Sequence, residues 1–293
     1  YRKELAARVP ASVALFAIGI TIAILLRRWV IPWVEAALGT ATTPRAIAWL
    51  VALRNVTRLL LPVLGASLVF TALDPVLLMD GLEPFRILGL PPFILALIAA
   101  QWLGSSLFAP RLPQYRLVSV NDADAVKGTA IVYLLGGVLS AHLFIINHLD
   151  GWEMSPAMNA TLQFPFTLLG SYGLWQASRL WRRVLRNIAK NRASLPPEQH
   201  VGAFGVGLMV FLERAVAVVA VLAPVLAAIG YYAASRGLLY PMILTLALFG
   251  ANLIFFDLLN KTLQSIGRRS GAQTGNEGLG PVVVAAILGL ASL

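Results

Sequence analysis

The sequence predicts an all-α polytopic membrane protein of about eight transmembrane helices, with amphipathic helices lying at the interface. Three observations carry this reading. Of the 293 residues, 58% are apolar and only 12% charged, against roughly 45–50% and about 25% in an ordinary soluble domain. The apolar residues fall in uncharged runs close to the roughly 20 residues that carry a helix across about 30 Å of hydrocarbon. The charges gather in short clusters between those runs, beside Trp, Tyr and Pro.

Taken in order, the first run is Val9 to Leu26, held between Arg8 and the pair Arg27 and Arg28. No small-residue cleavage site follows it, so it reads as a retained span and not as a signal peptide. The second, about 46–73, is uncharged only from Leu59. Ile87 to Ala109, Gly128 to Leu149 and Ala157 to Ser178 are the third to fifth, the last ending at Arg179. The sixth covers about 201–235 and the seventh 237–256, and an eighth begins at Leu279 and is still running at Leu293. The whole chain reads as one transmembrane domain. A start at Tyr1 and an unfinished last helix are expected of a processed or trimmed product.

Basic residues set the orientation. One set of alternate loops holds five: Arg2, Lys3, Arg8, Arg86 and Arg236. The other set holds fifteen, in the loops around Arg27 and Arg45, Arg111 and Lys127, Arg179 to Arg192, and Lys261 to Arg269. The excess marks the cytoplasmic side and leaves the N-terminus outside. Asp74, Asp80, Glu83, Asp150 and Glu153 then fall in short outer loops with room for turns only.

Two stretches are more than plain spans. Thr43 is a good helix cap and Pro44 suits the first helical position. A helix from there to Leu73 would have 30 residues, about 45 Å, and overshoot the bilayer. With Arg54 and Arg58 on one face and Pro62 next, the expectation is an interfacial element that turns near Arg58 and then crosses. Val201 to Leu212 followed by Glu213, Arg214 and a span kinkable at Pro224 has the same form, a weak internal repeat. Between the fifth and sixth spans, Trp181, Val184, Leu185 and Ile188 form one helical face. Arg182, Arg183, Arg186 and Lys190 form much of the other, and with Arg179 they are the candidates for contact with anionic headgroups. Charges that merely fix topology account for them equally well.

The net charge of +10 therefore points to a membrane with anionic lipid and not to nucleic acid. No cysteine is present, which excludes disulfides, thiolate metal sites and cysteine nucleophiles. HExxH, GxSxG and P-loop patterns are missing, so neither an enzyme nor a cofactor or metal site is expected. His142 and His148 are six apart, about 240° around a helix, and cannot share one metal from a straight helix. Glu213 is expected to form an intramembrane ion pair with Arg54 or Arg58. Asn55, Asn159 and Asn260 each begin a glycosylation sequon, at membrane depth or in predicted cytoplasm. Gly136 with Ser140, Gly170 with Gly173, and Gly104 with Ser106 are expected to allow close helix contacts.

Ala223-Pro-Val-Leu-Ala-Ala-Ile-Gly-Tyr-Tyr-Ala-Ala-Ser235 and the following Leu238-Leu-Tyr-Pro-Met-Ile-Leu-Thr-Leu-Ala-Leu-Phe-Gly250 resemble the membrane region of large bacterial MscS-type small-conductance mechanosensitive channels. Leu59 to Gly65, Trp102 to Phe108 and Arg8 to Leu15 add to the resemblance. It implies the accessory, tension-sensing part of a homo-oligomer, a heptamer, in a bacterial inner membrane. The pore helix and cytoplasmic β-rich domain of that family lie outside this sequence, so no pore-lining residue carries over. A polytopic secondary transporter, and a structural or assembly subunit of a larger membrane complex, remain the alternatives.

Overall fold

The computed structural model describes residues 2–77, 90–110, 113–118, 120–149, 155–193 and 203–267. They are almost entirely helical, joined by short turns, as composition and run length require. The first helix runs from α1 (Arg2–Ile20) through a π-helical stretch (Thr21–Leu26) into α2 (Arg27–Thr40). Then come α3 (Pro44–Leu77), α4 (Pro92–Leu107), α5 (Asp122–Leu149), α6 (Pro156–Ala193), α7 (Ala203–Ala228) and α8 (Tyr232–Gly267). A 3-10 turn at Pro113–Tyr115 bridges α4 and α5.

Local chemistry explains the boundaries. Thr43 caps α3, its Oγ1 accepting from the Ala46 amide at 3.3 Å. Asn121 caps α5 by accepting from the Asp124 amide at 2.7 Å, and Asp122 and Asp124 sit in that first turn, where the helix dipole favours acids. Between α7 and α8, Gly230 adopts φ +96°. The Tyr231 amide donates to the Leu226 carbonyl at 2.8 Å and the Gly230 amide to that of Ala227 at 3.2 Å, the paired bonds of a Schellman ending. That ending puts the sixth boundary at Ala228, before the expected Ser235, and hands residues 232–235 to α8.

α1, the π stretch and α2 pack along α3 as an antiparallel hairpin. α5, α6, α7 and α8 form a second body, with α4 against α5 and α8, and α3 joins the two through α4 and α8. The main core lies among α5 to α8, where Leu135, Val138, Leu174, Val216, Ala223 and Leu239 are buried. A smaller cluster joins α4, α5, α6 and α8 through Leu103, Phe108, Ala125, Leu180 and Ile254. Glycine sets the hairpin's closeness: a Cβ on Gly65 would lie 2.6 Å from that of Ala23, and one on Gly19 would lie 2.8 Å from the Gly65 carbonyl oxygen. Lipid offers no hydrophobic drive between helices, so such close backbone approach is what holds them.

The surface is inverted relative to a soluble protein. Phe211, Leu248, Phe255 and Val13 are exposed, while Arg54, Asn55, His142, Gln163, Thr167 and Glu213 are buried. Long apolar helices with an apolar outer surface make this a membrane protein. Five described helices are long and apolar enough to cross: Pro10–Thr40, Trp49–Leu73, Asp122–Ile146, Gly207–Ala228 and Tyr232–Asn260.

The described residues establish the helices and five candidate spans; they do not establish eight spans or interfacial helices. The first run does not stop at Leu26. The helix continues past Arg27 and Arg28 because Val34 and Leu38 bury against Val51 of α3. α3 is one continuous helix of 34 residues through Arg58 and Pro62. α4 has 16 residues, about 24 Å, short of a full crossing. The fifth run opens a 38-residue helix, about 57 Å long, long enough to cross but, with polar Asn159, Gln163, Thr167, Ser171 and Ser178, less apolar than those five. The basic stretch Arg179 to Arg192 continues α6 and is no separate surface helix. Positions 279–293 lie outside the described residues.

Candidate functional site

The strongest concentration of polar chemistry lies where α2, α3 and α4 meet. Arg54, Asn55 and Arg58 fall on the inner side of α3 because that helix lies between the α1–α2 segment and α4. Arg54 Nε donates to Glu35 Oε1 at 3.3 Å and Arg58 donates to the same oxygen at 2.5 Å. Arg58 also donates to the Ser105 carbonyl of α4 at 3.2 Å. Asn55 accepts from Ser106 Oγ at 3.0 Å through its side chain and from Trp102 Nε1 at 3.1 Å through its carbonyl. Beside this network lies a cleft of about 600 Å³, with Arg28, Arg54, Arg58 and Glu35 among its walls.

Glu213 meets different partners. Its Oε1 accepts from Arg182 Nε at 2.5 Å and from Ser178 Oγ at 2.8 Å, both on α6. In place of the expected pair between Glu213 and Arg54 or Arg58, Glu35 holds both Arg54 and Arg58, and Glu213 holds Arg182. The fold is the reason: α7 packs along α6 and α8, whereas α3 packs on the first helix, α4 and α8. Each carboxylate, buried Glu213 and half-buried Glu35, takes a cation on its own neighbouring helix, since an unpaired charge there is costly.

The other basic residues of α6 are also partly committed to protein. Arg183 donates to Asp124 of α5 at 2.7 Å, Arg186 donates to the Arg182 carbonyl at 3.3 Å, and the Arg179 guanidinium lies 5.4 Å from the Trp175 ring centroid. Trp181 stacks on Phe249 of α8 at 5.5 Å, and Trp181, Val184 and Leu185 are half-buried. The Lys190 and Ile188 side chains lie outside the described residues. Arg179, Arg183 and Arg186 are exposed, and Arg182, half-exposed, is tied to Glu213.

A third polar group sits inside α5, α6 and α8. His142 Nδ1 donates to Gln163 Oε1 at 3.1 Å, and the Tyr232 hydroxyl donates to the same oxygen at 2.5 Å. Gln163 Nε2 donates to Asn159 at 2.5 Å. The His142 and Tyr240 rings stack with centroids 3.4 Å apart. The side chain of His148 is outside the described residues, and among those described no three His, Asp or Glu are placed to hold a metal. The sequons are occupied by structure: Asn55 is buried, Asn159 is bonded to Gln163, and Asn260 belongs to α8.

A second cleft of about 600 Å³ opens between α4, α5, α6 and α8, its walls almost wholly apolar, from Leu95, Ala99 and Leu103 to Ala247 and Gly250. Sequence reasoning missed both this cleft and Glu35. The signal for Glu35 was present, a lone carboxylate in an apolar helix that demands a cation. The cleft left no local trace, because small residues at helical spacing read equally as tight packing. In comparisons with protein families, curated proteins and solved structures, nothing matches this chain.

Proposed function

We propose that the chain is the accessory, tension-sensing membrane domain of a mechanosensitive ion channel of the MscS type that its sequence resembles. In this reading it belongs to a homo-oligomer in a bacterial inner membrane, with the N-terminus periplasmic, and works in osmotic stress. The observation that supports it best is the apolar cleft among α4, α5, α6 and α8. Acyl chains can enter a cleft of about 600 Å³ with such walls. A bilayer that thins and spreads under tension draws lipid from such spaces, and the helix arrangement with the emptier cleft is favoured.

The test is patch recording from membranes holding the full protein. Ala99→Gln and Ala247→Gln each place an amide in the cleft and disfavour lipid entry. The pressure needed for opening should shift while single-channel conductance stays unchanged. Absence of stretch-activated current, or an unchanged threshold in both variants, overturns the reading.

The His142, Gln163 and Tyr232 cluster favours a second reading, a secondary transporter with a polar site between its helices. Solute uptake that depends on Gln163, without any response to suction, would select it.

A further inference from the structure

We propose that the inward face of α6 forms a proton path across the membrane, running from the His142 cluster at one end to Glu213 at the other, with Leu174 as its barrier. This is independent of the tension-sensing reading. Asn159, Gln163, Thr167, Ser171, Ser178 and Arg182 recur on α6 at steps of four or seven residues, so they share one side of the helix. The 23 residues from Asn159 to Arg182 rise about 35 Å, against about 30 Å of hydrocarbon. Gln163, Thr167, Ser171 and Ser178 are buried, none above 4% exposed, so this polar line faces the bundle and not lipid. Polar and ionisable groups so placed are costly within a membrane and mark solute or proton routes.

Buried hydroxyls along this line are the second observation. Ser171 Oγ, Ser235 Oγ and Tyr240 Oη are buried without a hydrogen-bond partner in the protein, and such groups take water. Ser171 and Tyr240 lie at one depth, since a Cβ on Gly170 would stand 3.1 Å from the Leu239 side chain. The Tyr240 ring stacks on His142 at 3.4 Å, and His142 and Tyr232 both donate to Gln163. The charged group at this end is Arg236, 5.9 Å from the Tyr232 ring centroid. Among the described residues no carboxylate is bonded to this cluster, so it offers no anionic seat for a metal cation, whereas imidazole and hydroxyl groups pass protons by exchange. Beyond Ser171 the line is broken by the fully buried Leu174. It resumes at Ser178, which donates to Glu213 Oε1. Arg182 holds the same oxygen and is 48% exposed, so this end opens outward from the bundle. Along the path each oxygen or ring nitrogen takes a proton on one side and releases one on the other, so one positive charge crosses and every side chain ends as it began. Gln163 does not relay and acts as a positioning residue for its donors.

The experiment reconstitutes the purified full-length protein in phosphatidylcholine liposomes and follows internal acidification with a trapped pH dye. The membrane potential is clamped with potassium and valinomycin, and no osmotic or pressure stress is applied. Leu174→Ser bridges the break with a hydroxyl and should raise proton flux about tenfold, the worth of one hydrogen bond gained along the path. Ser171→Ala and Tyr240→Phe, each added to Leu174→Ser, should bring that flux back toward wild type. Neither hydroxyl holds a protein bond, so their removal leaves the fold intact and a lost flux is a lost path. Leu174→Thr, nearer in volume, takes the place of Leu174→Ser where the serine variant fails to fold. A flux in the Leu174 variant no higher than in wild type overturns the path, as does a raised flux that neither hydroxyl removal lowers. A raised flux that potassium shares, measured without valinomycin, overturns its assignment to protons. With no tension applied, each of these results leaves the threshold test of the apolar cleft standing.

Discussion

Arg182 and Glu213, 31 residues apart on α6 and α7, form an asymmetric pair: the arginine side chain is 48% exposed and the carboxylate 9%. The pair has one end in the open and one in the bundle. Ser178, one helical turn before Arg182, supplies the carboxylate's second donor. Losing either partner therefore has unequal consequences.

Arg182→Leu strands a buried carboxylate and is expected to cost about 3 kcal/mol. Glu213→Leu releases an arginine that reaches solvent or headgroups, and the expected cost is about 1 kcal/mol. The double variant should be more stable than Arg182→Leu alone. Thermal unfolding in detergent, followed by circular dichroism, gives the order. The reverse order would show that the carboxylate draws its support from elsewhere.

The hairpin of α1 and α3 rests on Gly19 and Gly65. Gly65→Val places side-chain atoms where the Ala23 Cβ and backbone already stand, 2.6–2.8 Å from the new Cβ. The two helices must part, and the variant is expected to lose about 1–3 kcal/mol. Gly137→Val, whose Cβ meets nothing within 4 Å, is the control and should stay near wild type. Equal melting temperatures for the two would show that the crossing tolerates a wider spacing.

Gln163 satisfies His142, Tyr232 and Asn159 at once. Gln163→Leu leaves the His142 and Tyr232 donors without their acceptor inside the bundle, at an expected cost of about 1–3 kcal/mol each way the network is broken. Gln163→Glu keeps an acceptor and should fall between wild type and the leucine variant. Thermal unfolding again reads the ranking, and a leucine variant as stable as wild type would mean that water replaces the amide.

α6 is one unbroken helix of 38 residues. Its length of about 57 Å is enough to carry its two ends to opposite sides of a bilayer. The absence of cysteine allows single labels at Gly151→Cys and Asn191→Cys. An impermeant thiol reagent added outside is expected to modify only position 151. Labelling of position 191 alone would invert the topology, and labelling of both would lay α6 along one surface.

Composition and run length were enough to determine a helical membrane protein, because hydrocarbon forces every backbone amide and carbonyl into internal bonds. Cap chemistry is equally local, so the start of α3 at Thr43 and Pro44 was legible residue by residue. The tertiary structure decided what depends on neighbours. The continuation of the first helix past Arg28 comes from burial of Val34 and Leu38 against α3. The polar run of α6 is explained by its inward face, which no single-helix hydropathy can distinguish from a polar outer face. Above all, the sequence identified Arg54, Arg58 and Glu213 as charges that needed partners, but paired them with one another, whereas the structure gives each side a different partner. A buried charge takes the nearest opposite charge in space, and only the packing of α2 on α3 and of α6 on α7 brings Glu35 and Arg182 to those positions.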